Sequence, residues 1–155
     1  MLRDLLSRFR RREPSFERLD RESVKAIFLA LTGIRRDLVE AFRELKDRRM
    51  RDLYDPFSYM MLHFDKLHQF LRRFSGMPLY IGEEHVRGTC LERGVDACID
   101  SLSPEIAVVL RRIRIAAQVL KKASSTEPPS SIRSAIAELD SLVEGLAREL
   151  MHALG

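Results

Sequence analysis

Residues 21–51, RESVKAIFLALTGIRRDLVEAFRELKDRRMR, contain a long apolar pattern. Seven apolar residues recur there at alternating spacings of three and four, the period of one face of an α-helix. Asp20 precedes the pattern and is a residue type that caps helix N-termini. The stretch therefore predicts one long helix from about Arg21 to Arg51, with a narrow apolar face suited to packing in a bundle. The seven residues are Val24, Ile27, Leu31, Ile34, Leu38, Ala41 and Leu45.

Helical periodicity continues along the rest of the chain, without the strict alternation typical of a strand. Proline and glycine separate the segments, and Asp55-Pro56 is typical of a helix start. We expect six helical segments, including an amphipathic basic helix at residues 1–13, with a loop at residues 124–131 before the last one. The sequence predicts an all-α fold: residues 1–155 form a single-domain antiparallel bundle of five to six helices.

The composition is that of a globular protein. Of 155 residues, 45% are hydrophobic and 32% are charged, which allows a sizeable core. The chain contains no apolar run of the roughly 18–20 residues that a membrane-spanning helix needs. Its N-terminus lacks the apolar run and cleavage site of a secretory signal. We therefore expect a soluble protein without a membrane span.

Two cysteines, Cys90 and Cys98, lie in a segment that the pattern predicts to be one helix from about Glu84 to Leu102. On a straight helix, residues eight apart are separated by about 12 Å along the axis, beyond the reach of a disulfide. We therefore expect two reduced cysteines, with Cys98 in the core, and a cytoplasmic location.

The amide content is unusual. The chain has no asparagine and two glutamines, while 22 of its 27 basic residues are arginine. Depletion of heat-labile amides is typical of thermophilic proteins, although a GC-rich genome also enriches arginine. In size and composition, though not in any motif, the chain is similar to small helical subunits of archaeal nucleic-acid machinery. The depletion of asparagine and glutamine predicts a thermophilic origin.

No catalytic motif is present in the sequence. It contains no glycine-rich phosphate loop, no CxxC pair and no arginine–histidine spacing of the HEPN ribonucleases. A di-metal bundle site built from Asp65-x-x-His68 and Glu149-x-x-His152 is disfavoured, because His152 points away from the apolar face of its helix. We therefore predict no catalytic residues, no metal and no cofactor.

Two polar residues fall within apolar faces. Arg35 lies between Leu31 and Leu38 on the long helix, where a guanidinium needs an acidic partner or must reach solvent. Asp65, at the edge of the next helix's apolar face, is the candidate partner. His68 lies inside that face and is predicted to be a histidine at the core edge, hydrogen-bonded to a neighbour.

Positive charge is concentrated near the N-terminus. Residues 1–51 carry 15 basic and 9 acidic side chains, a net charge of +6 against +4 for the whole chain. Arginine clusters on helices suit phosphate, because each guanidinium can donate two hydrogen bonds to it. Acidic residues are interleaved, so a solvated charged face is the alternative. The candidate nucleic-acid-binding residues are Arg8, Arg10, Arg11, Arg12, Arg48, Arg49, Arg51, Arg111, Arg112 and Arg114.

The fifth predicted helix is apolar on two sides. The face from Ile106 to Leu120 suits the core, and a second strip lies roughly opposite. A helix of this kind is either central in the fold or buried against another chain. The second strip, a candidate interface, consists of Val108, Ile115 and Val119.

The sequence thus predicts a non-enzymatic helical subunit or adaptor that acts through protein contacts, with nucleic-acid backbone binding by its arginine clusters. One alternative is an enzyme with a site in the irregular segment Gly76–Gly88, using Glu84 and His85. Another is a homo-oligomer that uses the second strip of the fifth helix. A deep pocket at Gly76–Gly88 would favour the enzyme, and a continuous arginine face would favour binding.

Overall fold

The computed structural model of the protein describes residues 19–154, and every regular element in that range is helical. The all-α bundle predicted from the sequence is therefore confirmed, while the predicted helix at residues 1–13 lies outside the described residues. Four long helices, α1, α2, α5 and α6, and two short ones, α3 and α4, follow in chain order. Their bounds are Arg21–Asp47 (α1), Tyr54–Ser75 (α2), Glu83–Val86 (α3), Val95–Asp100 (α4), Pro104–Thr126 (α5) and Pro129–Leu154 (α6), with 3-10 turns at Arg51–Leu53 and Cys90–Arg93.

The central helix of the bundle is α1, which packs against α2, α4 and α5. Residues 26–31 are all buried, because neighbouring helices cover several sides of α1 at this level. The predicted cap is confirmed, since the Ser23 N–H donates to Asp20 Oδ1 at 2.7 Å. The helix ends at Asp47 rather than at the predicted Arg51, and Arg49 adopts the left-handed conformation (φ 55°) just beyond that end.

The predicted helix from Glu84 to Leu102 is wrong. Three short elements replace it, and the chain adopts positive φ at Gly88 (75°) and Gly94 (116°), where it leaves the helical path. Cys90 and Cys98 are thereby brought to a Cα–Cα distance of 4.9 Å and form a disulfide. The expectation of two reduced cysteines is also wrong, because it assumed a straight helix. Cys98 is buried in the core, as predicted.

The predicted loop at residues 124–131 is largely helical. α5 continues through Thr126 and α6 begins at Pro129, so Glu127 and Pro128 alone connect them. The hydroxyls at the end of α5 donate to carbonyls in the preceding turn, including Ser124 Oγ to Leu120 O at 2.7 Å, which lets polar residues extend the helix. Pro129 fits the first helical position because its missing N–H would have no partner there.

Each long helix buries one set of residues and exposes charged side chains elsewhere. Within residues 19–154, no helix is long and apolar enough to cross a membrane. The pair Asp55-Pro56 predicted a helix that starts with Asp55 as its N-terminal cap. The helix α2 begins one residue earlier, at Tyr54, so Asp55 lies in its first turn instead.

Candidate functional site

The second strip of α5 lies on the outside of the described bundle. Val108, Ile115 and Val119 are 47%, 58% and 52% exposed, while the opposite side of the helix is buried. The helix at the centre of the bundle is α1, so a central position of α5 does not explain its second apolar strip. The other described residues therefore leave three large aliphatic side chains about half exposed along one line of α5, at spacings of seven and four residues.

A shallow groove between α5 and α6 adjoins the strip. It has a volume of about 390 Å³ and an apolar lining from Ile115, Ala116 and Val119 on α5 and from Ala135 and Leu142 on α6. One charged side chain of each sign also lines it: α5 contributes Arg112 and α6 contributes Glu138. We call the strip and this groove together the α5–α6 face.

The first described arginine cluster lies at one end of the bundle. Arg48 Nη1 donates to the Ser124 carbonyl at 2.9 Å, which places the turn after α1 against the C-terminal end of α5. Arg49, Arg51 and Lys122 are exposed near this contact. None of these three side chains forms an ion pair with another described residue.

The second arginine cluster is mostly engaged in ion pairs. Arg114 Nη1 lies 3.3 Å from Asp37 Oδ2 and Nε lies 3.4 Å from Asp96 Oδ1, so Arg114 joins α5 to α1 and α4. Arg111 pairs with Asp100 at 2.8 Å, and Arg112 is exposed beside the α5–α6 groove.

The two clusters do not form one continuous face. Arg112 and Lys122 are about 15 Å apart along α5, at 1.5 Å per residue, and Arg114 faces inward between them. Arg8, Arg10, Arg11 and Arg12 lie outside the described residues.

In the segment Gly76–Gly88, the polar contacts of Glu84 and His85 are local to one short helix. His85 Nδ1 accepts a hydrogen bond from the Gly82 N–H at 3.0 Å and lies 3.6 Å from Glu84 Oε1. His85 therefore closes the first turn of α3, and Glu84 is exposed. Leu79, Tyr80 and Ile81, from the same segment, line an open groove beside α1 and α2 instead.

The predicted pairing of Arg35 with Asp65 is confirmed. Arg35 Nε donates to Asp65 Oδ1 at 2.8 Å and Nη2 donates to Oδ2 at 3.3 Å. Their side chains are 42% and 38% exposed, so the pair lies at the rim of the α1–α2 contact. The hydrogen bond to Asp65 raises the pKa of Arg35.

His68 is the predicted core-edge histidine. It is 7% exposed, and its ring stacks on Phe28 with centroids 4.4 Å apart. Its Nε2 lies 2.8 Å from Thr32 Oγ1, which donates its own hydrogen to the Phe28 carbonyl at 2.9 Å. Burial lowers the pKa of His68 to about 4; Asp65 opposes this shift and Arg35 adds to it. His68 is therefore held neutral with Nε2 as the donor to Thr32.

Sequence reasoning missed one cluster of potential ligands. His63 Nδ1 on α2 lies 2.8 Å from Asp140 Oδ1 on α6, and ligand atoms of His63, Asp140 and Glu144 all lie within 4.8 Å of one another. The di-metal residues considered from the sequence do not join it: Asp65 pairs with Arg35, while Glu149 and His152 are exposed near the end of α6. The spacing of Asp140 and Glu144 is visible in the sequence, but their proximity to His63 is not.

Comparison with known proteins finds no family model that matches the chain, and no curated protein or solved structure with significant similarity to it.

Proposed function

We propose that the protein is a non-enzymatic helical adaptor whose α5–α6 face binds a helix of another protein. The observation that carries this proposal is the line of Val108, Ile115 and Val119, which the other described residues leave about half exposed. Spacings of seven and four residues keep the three side chains on one face of a helix. An apolar line of this kind beside a groove is suited to receiving the apolar stripe of an amphipathic helix.

The two charged residues of the groove favour one orientation of a bound helix. Arg112 and Glu138 stand on different helices and have opposite signs, so a partner helix with one acid and one base is favoured in one orientation. The apolar centre would supply most of the binding energy, as at other interfaces, while the charged pair would limit which partners fit. A second copy of the chain also meets these requirements, which keeps the homo-oligomer within the same proposal.

Replacement of the central residue of the strip tests this proposal. We expect Ile115→Asp to abolish the complexes that the wild-type protein forms, because a carboxylate would be buried in the apolar centre of the interface. Size-exclusion chromatography with light scattering measures self-association, and cross-linking with mass spectrometry in the native host maps other partners onto the surface. Leu62→Asp is the matched control, since Leu62 is also 50% exposed on a long helix but lies on α2.

Comparison of Ile115→Asp with Leu62→Asp decides whether the α5–α6 face is the binding surface. Loss of assembly in Ile115→Asp, with circular dichroism unchanged and Leu62→Asp behaving as wild type, supports the α5–α6 face. Assembly that survives Ile115→Asp, or cross-links that avoid α5 and α6, contradicts it.

A second candidate function is binding of a nucleic-acid backbone at the end of the bundle. It rests on the Arg48–Ser124 contact, which joins the turn that carries the exposed Arg49 and Arg51 to the end of α5 that carries the exposed Lys122. We expect salt-dependent binding of DNA or RNA, and on duplex DNA the triple change of these three residues to alanine should reduce the slope of log affinity against log salt by about 3. The charge-matched control changes Arg73, Arg87 and Arg93 to alanine. Equal weakening in both triple variants, or no wild-type binding at low salt, would exclude this site.

The adaptor is proposed to act in the cytoplasm of a thermophile. Intracellular proteins of hyperthermophiles carry disulfides, so the Cys90–Cys98 bond is compatible with that location. A thermal unfolding midpoint below about 65 °C, within the range of mesophilic domains, would count against the thermophilic origin.

A further inference from the structure

We propose that His63, Asp140 and Glu144 bind one divalent transition-metal ion, with Zn²⁺ as the best match, at the contact between α2 and α6. This inference is independent of the adaptor function, because none of the three residues belongs to the α5 strip or lines the α5–α6 groove.

The distances are close to those that one ion requires. Each of the three residues offers a ligand atom, and these atoms lie within 4.8 Å of one another. Zn²⁺ binds histidine nitrogen and carboxylate oxygen at about 2.0–2.2 Å in tetrahedral geometry, so two ligand atoms of one ion lie about 3.3–3.6 Å apart. Side-chain movements of under about 1 Å would therefore complete the site.

The backbone holds the ligands in place from two long helices. Asp140 and Glu144 are four residues apart on α6, which puts both carboxylates on the side that faces His63 of α2. His63 and Asp140 are about 30% exposed, and the ring of Tyr59 meets the His63 ring edge-on with centroids 5.9 Å apart. Ligands carried by packed helices lose little freedom when an ion binds.

The charge balance of the cluster also favours a cation. Asp140 and Glu144 are like charges at a helical spacing of four, an arrangement that destabilises a helix. Among the described residues, neither carboxylate forms an ion pair with lysine or arginine, and His63 is the single basic partner of Asp140. A divalent ion would neutralise the charges of both carboxylates, whereas the His63–Asp140 hydrogen bond alone would not.

The donor set indicates the class of ion. One imidazole and two carboxylates match the ligands of Zn²⁺ and related first-row ions, whereas Mg²⁺ and Ca²⁺ favour oxygen donors alone. Three protein ligands leave a coordination position for water. On binding, His63 would use the Nδ1 lone pair and carry its proton on Nε2, so the ring stays neutral and the metal replaces the hydrogen bond to Asp140.

Titration of the full chain with ZnCl2 tests the proposal. The protein is first treated with a chelator and dialysed, and binding is followed by competition with a chromophoric zinc chelator, without reductant so that Cys90 and Cys98 stay bonded. We expect one ion per chain, and at least tenfold weaker binding in His63→Ala, Asp140→Asn and Glu144→Gln. The matched control is the double variant Glu149→Gln/His152→Ala, which removes the same donor types from the exposed end of α6.

Glu144→Gln keeps the test independent of folding, because Glu144 is exposed and makes no ion pair with a described residue. An equal concentration of MgCl2 is expected not to displace Zn²⁺. The proposal is overturned by the absence of saturable Zn²⁺ binding, by unchanged affinity in the three ligand variants, or by equal weakening in the Glu149→Gln/His152→Ala control.

Discussion

The free energy of unfolding is expected to fall by up to about 3 kcal/mol between pH 6.5 and pH 4 because of His68 alone. In the folded protein, burial lowers the pKa of His68 to about 4, against about 6.5 for an exposed histidine. Between these two values the unfolded chain binds a proton that the folded chain does not. The contribution of His68 is therefore complete above pH 6.5 and is lost as the pH falls towards 4.

The structural reason lies in the surroundings of the ring. His68 is stacked on Phe28, and its Nε2 already donates to Thr32, so a second proton would place a positive charge in a buried position under the repulsion of Arg35. Asp65 offsets part of this cost, but it is shared with the Arg35 guanidinium at 2.8 Å.

Urea unfolding at a series of pH values measures the effect. His68→Gln, which retains an N–H for Thr32, should show a flatter pH dependence between pH 6.5 and pH 4. His152→Gln changes an exposed histidine and should follow the wild-type curve. Superimposable curves for wild type and His68→Gln would show that the ring is not the group responsible.

The second large effect is expected at the contact between α1 and α4. Gly33→Val should lower the free energy of unfolding by roughly 2–3 kcal/mol, as overpacking of a well-packed core does. A Cβ at position 33 would overlap Val95 Cγ2 and approach Leu91 Cδ1 to 3.1 Å. The gain from replacing a helical glycine is a few tenths of a kcal/mol and does not offset this overlap.

Gly145→Val is the matched control for Gly33→Val. Gly145 lies within α6, and a Cβ there would meet no other atom within 4 Å, so we expect a change of less than about 0.5 kcal/mol. Adding Val95→Ala to Gly33→Val should recover part of the lost stability, which a double-mutant cycle measures. Equal losses at positions 33 and 145 would refute the steric explanation.

The parts of the fold that sequence reasoning predicted correctly depend on local periodicity. The stripe of α1 and the position of Arg35 within it follow from 3.6 residues per turn, whatever surrounds the helix. Asp65 was found as its partner because it lies at the edge of the apolar face on the next helix. The central position of α1 was not predicted: its pattern indicated a narrow apolar face, and a central position was considered for the fifth helix instead. The continuous apolar run AIFLAL at residues 26–31, which is fully buried, is the signal that was not used.

The errors come from backbone conformation and tertiary placement. An apolar spacing between Leu91 and Leu102 suggested a helix, but Gly88 and Gly94 adopt positive φ there, and this depends on how the segment packs over Gly33. The cluster around His63 was missed for a related reason. Asp140 and Glu144 share a helix face in the sequence, but which helix opposes them, and at what level, is set by the whole bundle.

The central position of α1 has a consequence for synthesis of the chain. α1 is made first among the described helices, yet α5 is needed to cover it, as the ion pair between Asp37 and Arg114, 77 residues apart, illustrates. Ribosomes add about 5–20 residues per second, so roughly 5–20 s separate the apolar run of α1 from the end of α5. During that interval α2 and α4 are already made but the cover from α5 is missing, so part of the apolar surface of α1 stays exposed on the nascent chain.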